Sequence, residues 1–221
     1  MSAFISSNGI RAGHGGGGVG SVRRGAGRFT AASVALWLFI GVATSLFSLF
    51  LMAYAMRMTA SDWSPIAPPW QLWLSTALLI AGSILLQAAS AAARTMQPST
   101  LQAKRARRLL LAGGVCALAF LAVQLSAWQA LQANHVMPVG NPAGSFFYLL
   151  TAMHGLHVAG GLVGWTVTAR GARQDADPGR TALRIALCAR YWHFLLAVWL
   201  VLFAALSWLT PAVVNFICGT N

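Results

Sequence analysis

The sequence predicts an all-α polytopic membrane protein, a five-transmembrane-helix bundle with the N-terminus inside and the C-terminus outside. Three observations carry the prediction. Charged residues make up 8% of the chain and hydrophobic ones 57%, with a mean hydropathy of +0.66. A soluble domain carries about 25% charged residues, so this chain cannot clothe a water-facing surface. Five apolar segments each reach the roughly 20 residues that crossing hydrocarbon requires. The basic residues cluster on alternate connections, which marks one side as cytoplasmic.

Residues 1–30 read as a glycine-rich basic tail. The stretch "AGHGGGGVGSVRRGAGR" has no apolar core, so a flexible arm is expected and a cleavable signal peptide is not. His14 lies in that arm without a role. The first span, 31–55, carries Thr44, Ser45 and Ser48. "ASDWSPIAPPW" follows, a rigid proline-rich turn ending at an aromatic interface anchor. The second span, 70–93, holds Ser75, Thr76, Ser83 and Gln87, and the third, 109–133, holds Gln124, Ser126 and Trp128. "NHVMPVGNPAG" closes the third span on the same side as the first turn. The fourth span, 144–169, carries Thr151, His154 and His157; "GARQDADPGR" is read as a polar loop after it. The fifth span, 190–214, carries His193 and Ser207 and leaves a short tail at 215–221.

Charge orients these elements. Arg11, Arg23, Arg24 and Arg28 lie in the N-terminal tail. Arg94, Lys104, Arg105, Arg107 and Arg108 follow the second span, and Arg170, Arg173, Arg180, Arg184 and Arg190 follow the fourth. The two opposite connections share a single arginine, Arg57. An inside N-terminus and an outside C-terminus require an odd number of spans, in agreement with the five counted from hydropathy. The net charge of +12 is thereby assigned to membrane topology and anionic headgroups, and no nucleic-acid partner is expected. Cys116, Cys188 and Cys218 form no CxxC and read as small apolar fillers. No internal repeat suggests a transporter built from duplicated halves.

Polar groups at membrane depth are the functional candidates, because each needs a partner. None of the deep positions is a carboxylate or a lysine, so an acid-based proton relay is not expected in this chain. His154 and His157 stand three apart on one helical face. By sequence, His193 lies about 3 residues from the inner boundary and His157 about 12, roughly 18 Å of rise. That is a poor match for a shared haem axial pair, and no third ligand suggests zinc or copper. The histidines are therefore expected to be neutral and to hydrogen-bond across helices. Gly155, Gly160, Gly161 and Gly164 would let a neighbouring helix approach closely. No catalytic, cofactor-binding or metal residue is expected in the chain.

Two stretches then carry a resemblance. "SFFYLLTAMHGLHVAGGLVG" followed by "YWHFLLAVWLVLF" resembles subunit III of haem-copper oxidases (cytochrome c or quinol oxidases) in its short five-helix bacterial form. The family's fourth-span pattern falls on the Phe146–Phe147 pair, Thr151, His154, His157, Val158 and Gly161. Its last-span pattern falls on Tyr191, Trp192, His193, Phe194, Val198 and Trp199. "LWLSTALLIAGS" resembles the second span, with Ser75 where asparagine is usual, and "LAVQLSAWQAL" the third, with Gln124 and Trp128.

The resemblance implies a non-catalytic subunit of a respiratory terminal oxidase, in the inner (cytoplasmic) membrane of a bacterial cell. It would pack directly on subunit I, near subunit II and a small subunit IV, and support oxygen reduction coupled to proton translocation. Haem and copper would sit in subunits I and II, with none in this chain, and phospholipid would be bound. Gln124, Trp128, Thr151, His154, Gly155, His157, Gly161, Tyr191, Trp192, His193 and Trp199 would be interhelix packing residues. One departure stands out: the family commonly has Ser-Glu in the first of these spans, where this chain has Val42 and Ala43 and no glutamate anywhere. No role tied to that carboxylate is carried over. Two other readings remain open at this point: a subunit III-like protein associated with nitric oxide reductase, and a self-standing b-type cytochrome using His154 and His193.

Overall fold

The computed structural model describes residues 19–58, 62–64, 66, 68–94, 100–136, 141–174 and 177–209. Five helices follow one another: α1 Val19–Arg57, α2 Gln71–Ala93, α3 Thr100–Ala133, α4 Pro142–Gln174 and α5 Pro178–Trp208. Each contains a stretch long and apolar enough to cross a membrane. Helix is the only open-ended solution there, since hydrocarbon offers no partner for a free backbone N–H or C=O. His14, Cys218 and the tail at 215–221 lie outside the described residues.

α1, α3 and α4 overrun the spans expected from hydropathy, and α2 matches its own. α5 is shifted, running from Pro178 to a C-cap at Leu209 against the expected 190–214. α3 has 34 residues, α4 33 and α5 31, or about 46–51 Å at 1.5 Å per residue against about 30 Å of hydrocarbon. The surplus lies at the basic end. Lys104, Arg105, Arg107 and Arg108 ride on the first turns of α3, and Arg170 and Arg173 on the last turns of α4. Arg180, Arg184 and Arg190 lie on α5 itself. The polar loop expected there is thus mostly helix. Once nucleated, a helix adds one hydrogen bond per residue, and Ala, Leu, Lys, Arg and Gln favour that growth. α1 likewise begins at Val19, inside the stretch expected as a flexible tail.

Two of the helix starts use one device. Asp177 caps α5 by accepting hydrogen bonds from the Gly179 and Arg180 amides at 2.9 and 3.3 Å, with Pro178 at the first helical position. Asn141 Oδ1 accepts from the Ala143 amide at 3.0 Å, ahead of Pro142 at the start of α4. Asn141 Nδ2 also donates to the Ser64 carbonyl at 2.9 Å, tying the α1–α2 turn to α4. α3 stops at His135, whose φ of 60° is left-handed. The His135 amide bonds to the Gln132 carbonyl and the Val136 amide to that of Leu131, each at 3.0 Å, the paired pattern of a Schellman end.

α2, α3, α4 and α5 pack as a four-membered ring, α2 and α3 being the most intimate pair, while α1 lies outside against α5 and α4. The ring's core is built on Phe120, Trp192, Leu195 and Trp199, all buried. α1 contributes a narrow stripe, Phe47, Tyr54 and Met58, that closes on Leu150 and Leu202. Elsewhere on α1, large apolar side chains are exposed, including Trp37, Leu38, Val42 and Leu49, as a lipid-facing helix requires.

Candidate functional site: a buried polar seam

The sequence-predicted polar residues converge where α3, α4 and α5 meet. Trp128 Nε1–H donates to Thr151 Oγ1 at 3.1 Å, and Thr151 in turn donates to the Phe147 carbonyl at 2.6 Å. One turn deeper His154 is fully buried, its ring stacked among Trp199, Phe120 and Phe47 at centroid distances of 5.1, 5.7 and 6.3 Å. Trp199 Nε1–H crosses to Thr76 Oγ1 of α2 at 2.9 Å. Trp192 is buried in the same core, 1% exposed.

The histidines do not all behave as expected. Neither ring nitrogen of His154 meets a hydrogen-bond partner among the described residues, nor does either end of the Gln124 amide, which is 3% exposed. His157 turns back on its own helix, with Nδ1 at 2.7 Å from the Met153 carbonyl. Its ring packs on Phe47 and Phe39 at 5.1 and 5.8 Å. Cross-helix hydrogen bonding from these two side chains is therefore corrected to ring packing, because the helices here meet through aromatic side chains that leave no polar atom within reach. Among the described histidines, His193 alone bridges helices through its nitrogens. Nδ1 lies 2.5 Å from Ser83 Oγ and Nε2 lies 3.1 Å from Gln87 Oε1, both on α2. Since α5 begins at Pro178, His193 also stands in the middle of its helix, not near its inner end.

The glycines divide too. A Cβ on Gly161 would come within 2.8 Å of Tyr191 Cε1, and Tyr191 donates its hydroxyl to the His157 carbonyl at 3.0 Å. This is a close α4–α5 approach. Gly155 would make only an ordinary contact with Leu121, and Gly160 and Gly164 face no atom within 4 Å. They instead border a cleft of about 480 Å³ between α1, α4 and α5, whose walls include Phe39, Tyr191 and Arg184. Trp165, not singled out in the sequence, lies against Gly114 with its Nε1–H on the Leu110 carbonyl at 2.8 Å. Gly113, beside Gly114, faces Leu86 and the Gly82 carbonyl of α2. Ala43 is buried one turn before Phe47, its methyl group facing the bundle.

Among the described residues no three His, Cys, Asp or Glu side chains gather as a metal site. Both nitrogens of His193 are engaged by protein side chains, and those of His154 are walled in by rings. Fold and seam thus define a multi-pass helical membrane protein in which Trp128, Thr151, His193, Trp199 and Thr76 join its own helices.

Comparison with known proteins narrows that class. Residues 22–210 match the family described as Cytochrome c oxidase subunit III. The chain is 30% identical over 165 residues to a probable cytochrome c oxidase subunit 3 of Mycobacterium tuberculosis H37Rv, covering 72% of this chain and 77% of that protein. It is 29% identical over 174 residues to cytochrome c oxidase subunit 3 of Bacillus subtilis, covering 76% and 81%. A shorter match to a probable cytochrome c oxidase subunit 3 of Mycobacterium leprae is 41% identical over 64 residues, 28% of this chain and 31% of that protein. The chain belongs to the cytochrome c oxidase subunit III family. It is a subunit III of a respiratory oxidase, and membership implies a complex with other oxidase subunits. It is also consistent with a chain that holds no cofactor of its own.

Proposed function

We propose that this chain is the non-catalytic subunit III of a bacterial cytochrome c oxidase, packed directly on subunit I in the cytoplasmic membrane. Subunit II and a small subunit IV complete the assembly, and the haem and copper that reduce oxygen and drive proton translocation reside in subunits I and II. The observation that carries this reading is the seam. Most of its imidazoles and indoles contact neighbouring helices and rings, which suits a rigid scaffold. Gln124, Trp128, Thr151, His154, Gly155, His157, Gly161, Tyr191, Trp192, His193 and Trp199 are its packing residues. The domain plan is a tail at 1–30, a transmembrane domain at 31–214 and a short tail at 215–221.

The basic ends of α3, α4 and α5, together with Arg94 at the end of α2, support a cytoplasmic N-terminus and an external C-terminus. The cleft beside Arg184 suits a phospholipid, with apolar walls for an acyl chain and a cation at the rim. Purification in mild detergent tests the assignment. Oxidase subunits I and II should co-purify, and a deletion strain should yield an oxidase with an unchanged haem spectrum that inactivates during turnover. Recovery with a nitric oxide reductase, or a haem spectrum from the isolated chain, would overturn it.

A further inference from the structure

Exposed polar groups on this bundle mostly satisfy themselves. Thr44 donates to the Ile40 carbonyl, Ser126 to that of Val123 and Thr166 to that of Val163, each at 2.7 Å and each within its own helix. Gln87 and His193 differ. Both are exposed on the outer surface of α2 and α5, yet Gln87 stands six residues, about 9 Å of rise, inside the end of α2 at Ala93. His193 spans from Gln87 to Ser83, a further turn inward. With Nε2–H donating to Gln87 Oε1, Nδ1 is left to accept from the Ser83 hydroxyl. The acceptor oxygen of Gln87 is then engaged, and its amide N–H groups have no acceptor among the described residues. Hydrocarbon supplies none, and among the described residues no carbonyl of its own helix accepts from Gln87 as those of Ile40, Val123 and Val163 accept from Thr44, Ser126 and Thr166.

The surrounding surface is patterned for a helix. The exposed residues Trp73, Ala77, Ile80, Ile84, Gln87 and Ala91 of α2 follow spacings of 4, 3, 4, 3 and 4, the seam of a left-handed helix pair. Ala77 and Ala91 within it let a backbone come close. On α5, Leu200 lies seven residues from His193 and continues the same face. A lipid chain would meet the apolar part of this seam and fail the amide.

We propose that this α2–α5 face is the docking surface for a transmembrane helix of another oxidase subunit, which supplies a hydrogen-bond acceptor to the Gln87 amide. This rests on the reading of the chain as an assembled subunit III. A photo-crosslinking side chain at Ile84 in the intact complex should capture a different oxidase polypeptide, whereas one at Met52, on the exposed face of α1, should capture lipid. Gln87→Leu should lower retention of this chain in the purified complex by about three- to thirtyfold, the range for one interhelical hydrogen bond in a membrane. The isolated variant also loses its bond to His193, so it should melt slightly lower, while its loss of retention in the complex should be the larger effect. Capture of only lipid at Ile84, or of a second copy of this chain, would overturn the surface while leaving the function intact if oxidase subunits still co-purify. If none co-purify, the functional reading falls first and the surface with it.

Discussion

Replacing Gly114 with alanine tests the packing logic most directly. A methyl at that position would overlap the Trp165 indole. The ring cannot withdraw without breaking its 2.8 Å hydrogen bond to the Leu110 carbonyl. Losing that bond costs about 1 kcal/mol, and forcing an extra methyl into a packed interface about 1–3 kcal/mol. Alanine returns roughly 1 kcal/mol in helix propensity over glycine. The net expectation is a loss of about 1–3 kcal/mol, or about 2–12 °C in Tm for a chain of this size. Gly41→Ala is the reference, since a Cβ there meets nothing within 4 Å; it should melt at or slightly above the parent temperature. Thermal melts followed by circular dichroism in detergent read both. Because the penalty runs through one ring, Gly114→Ala should cost nothing further in a Trp165→Ala background. A Gly114→Ala variant as stable as the parent, or additive with Trp165→Ala, would refute the reasoning.

Three further substitutions probe other parts of the molecule. Asp177→Ala removes the acceptor for two amides at the start of α5. It should destabilise by about 1 kcal/mol and speed hydrogen exchange in the first turn of that helix. His135→Gly relieves the left-handed backbone at the end of α3 and should stabilise by roughly 1 kcal/mol; a lower Tm would mean that the imidazole makes a contact worth more than the strain. His154→Phe keeps a ring against Trp199, Phe120 and Phe47 while removing nitrogens that have no partner among the described residues. The assembled oxidase should keep both its Tm, within about 1 kcal/mol of stability, and its Soret band, whereas a shifted Soret band would count against a packing role for this ring.

What the sequence reveals divides along a physical line. Properties that belong to a segment by itself were readable: five apolar stretches, basic clusters at one end, and the capping pairs Asn141–Pro142 and Asp177–Pro178 that start α4 and α5. The caps could have corrected the span boundaries, because an acceptor followed by proline marks a helix start even where charge suggests a loop. Properties that need two segments were not readable. Histidines three apart imply a shared face, but not that one ring would lie among aromatics while the other bonds to its own helix. Four glycines on one helix imply room, but only Gly161 is filled by a neighbouring side chain, and Gly160 and Gly164 border a cleft.

Gln87 shows why the distinction matters. Hydropathy marks it as a polar residue at depth, and most such residues turn inward, as Gln124 does. Only the packing of α2 against α3 and α5 reveals that its outward position is enforced. Leu72, Leu79, Ser83 and Leu86 occupy the buried face, so α2 cannot rotate to hide Gln87 without exposing the residues that hold the ring together. Pinned outward at that depth, Gln87 is met within the bundle only through its oxygen, by His193, and its amide N–H groups are left for a second polypeptide in the membrane to engage.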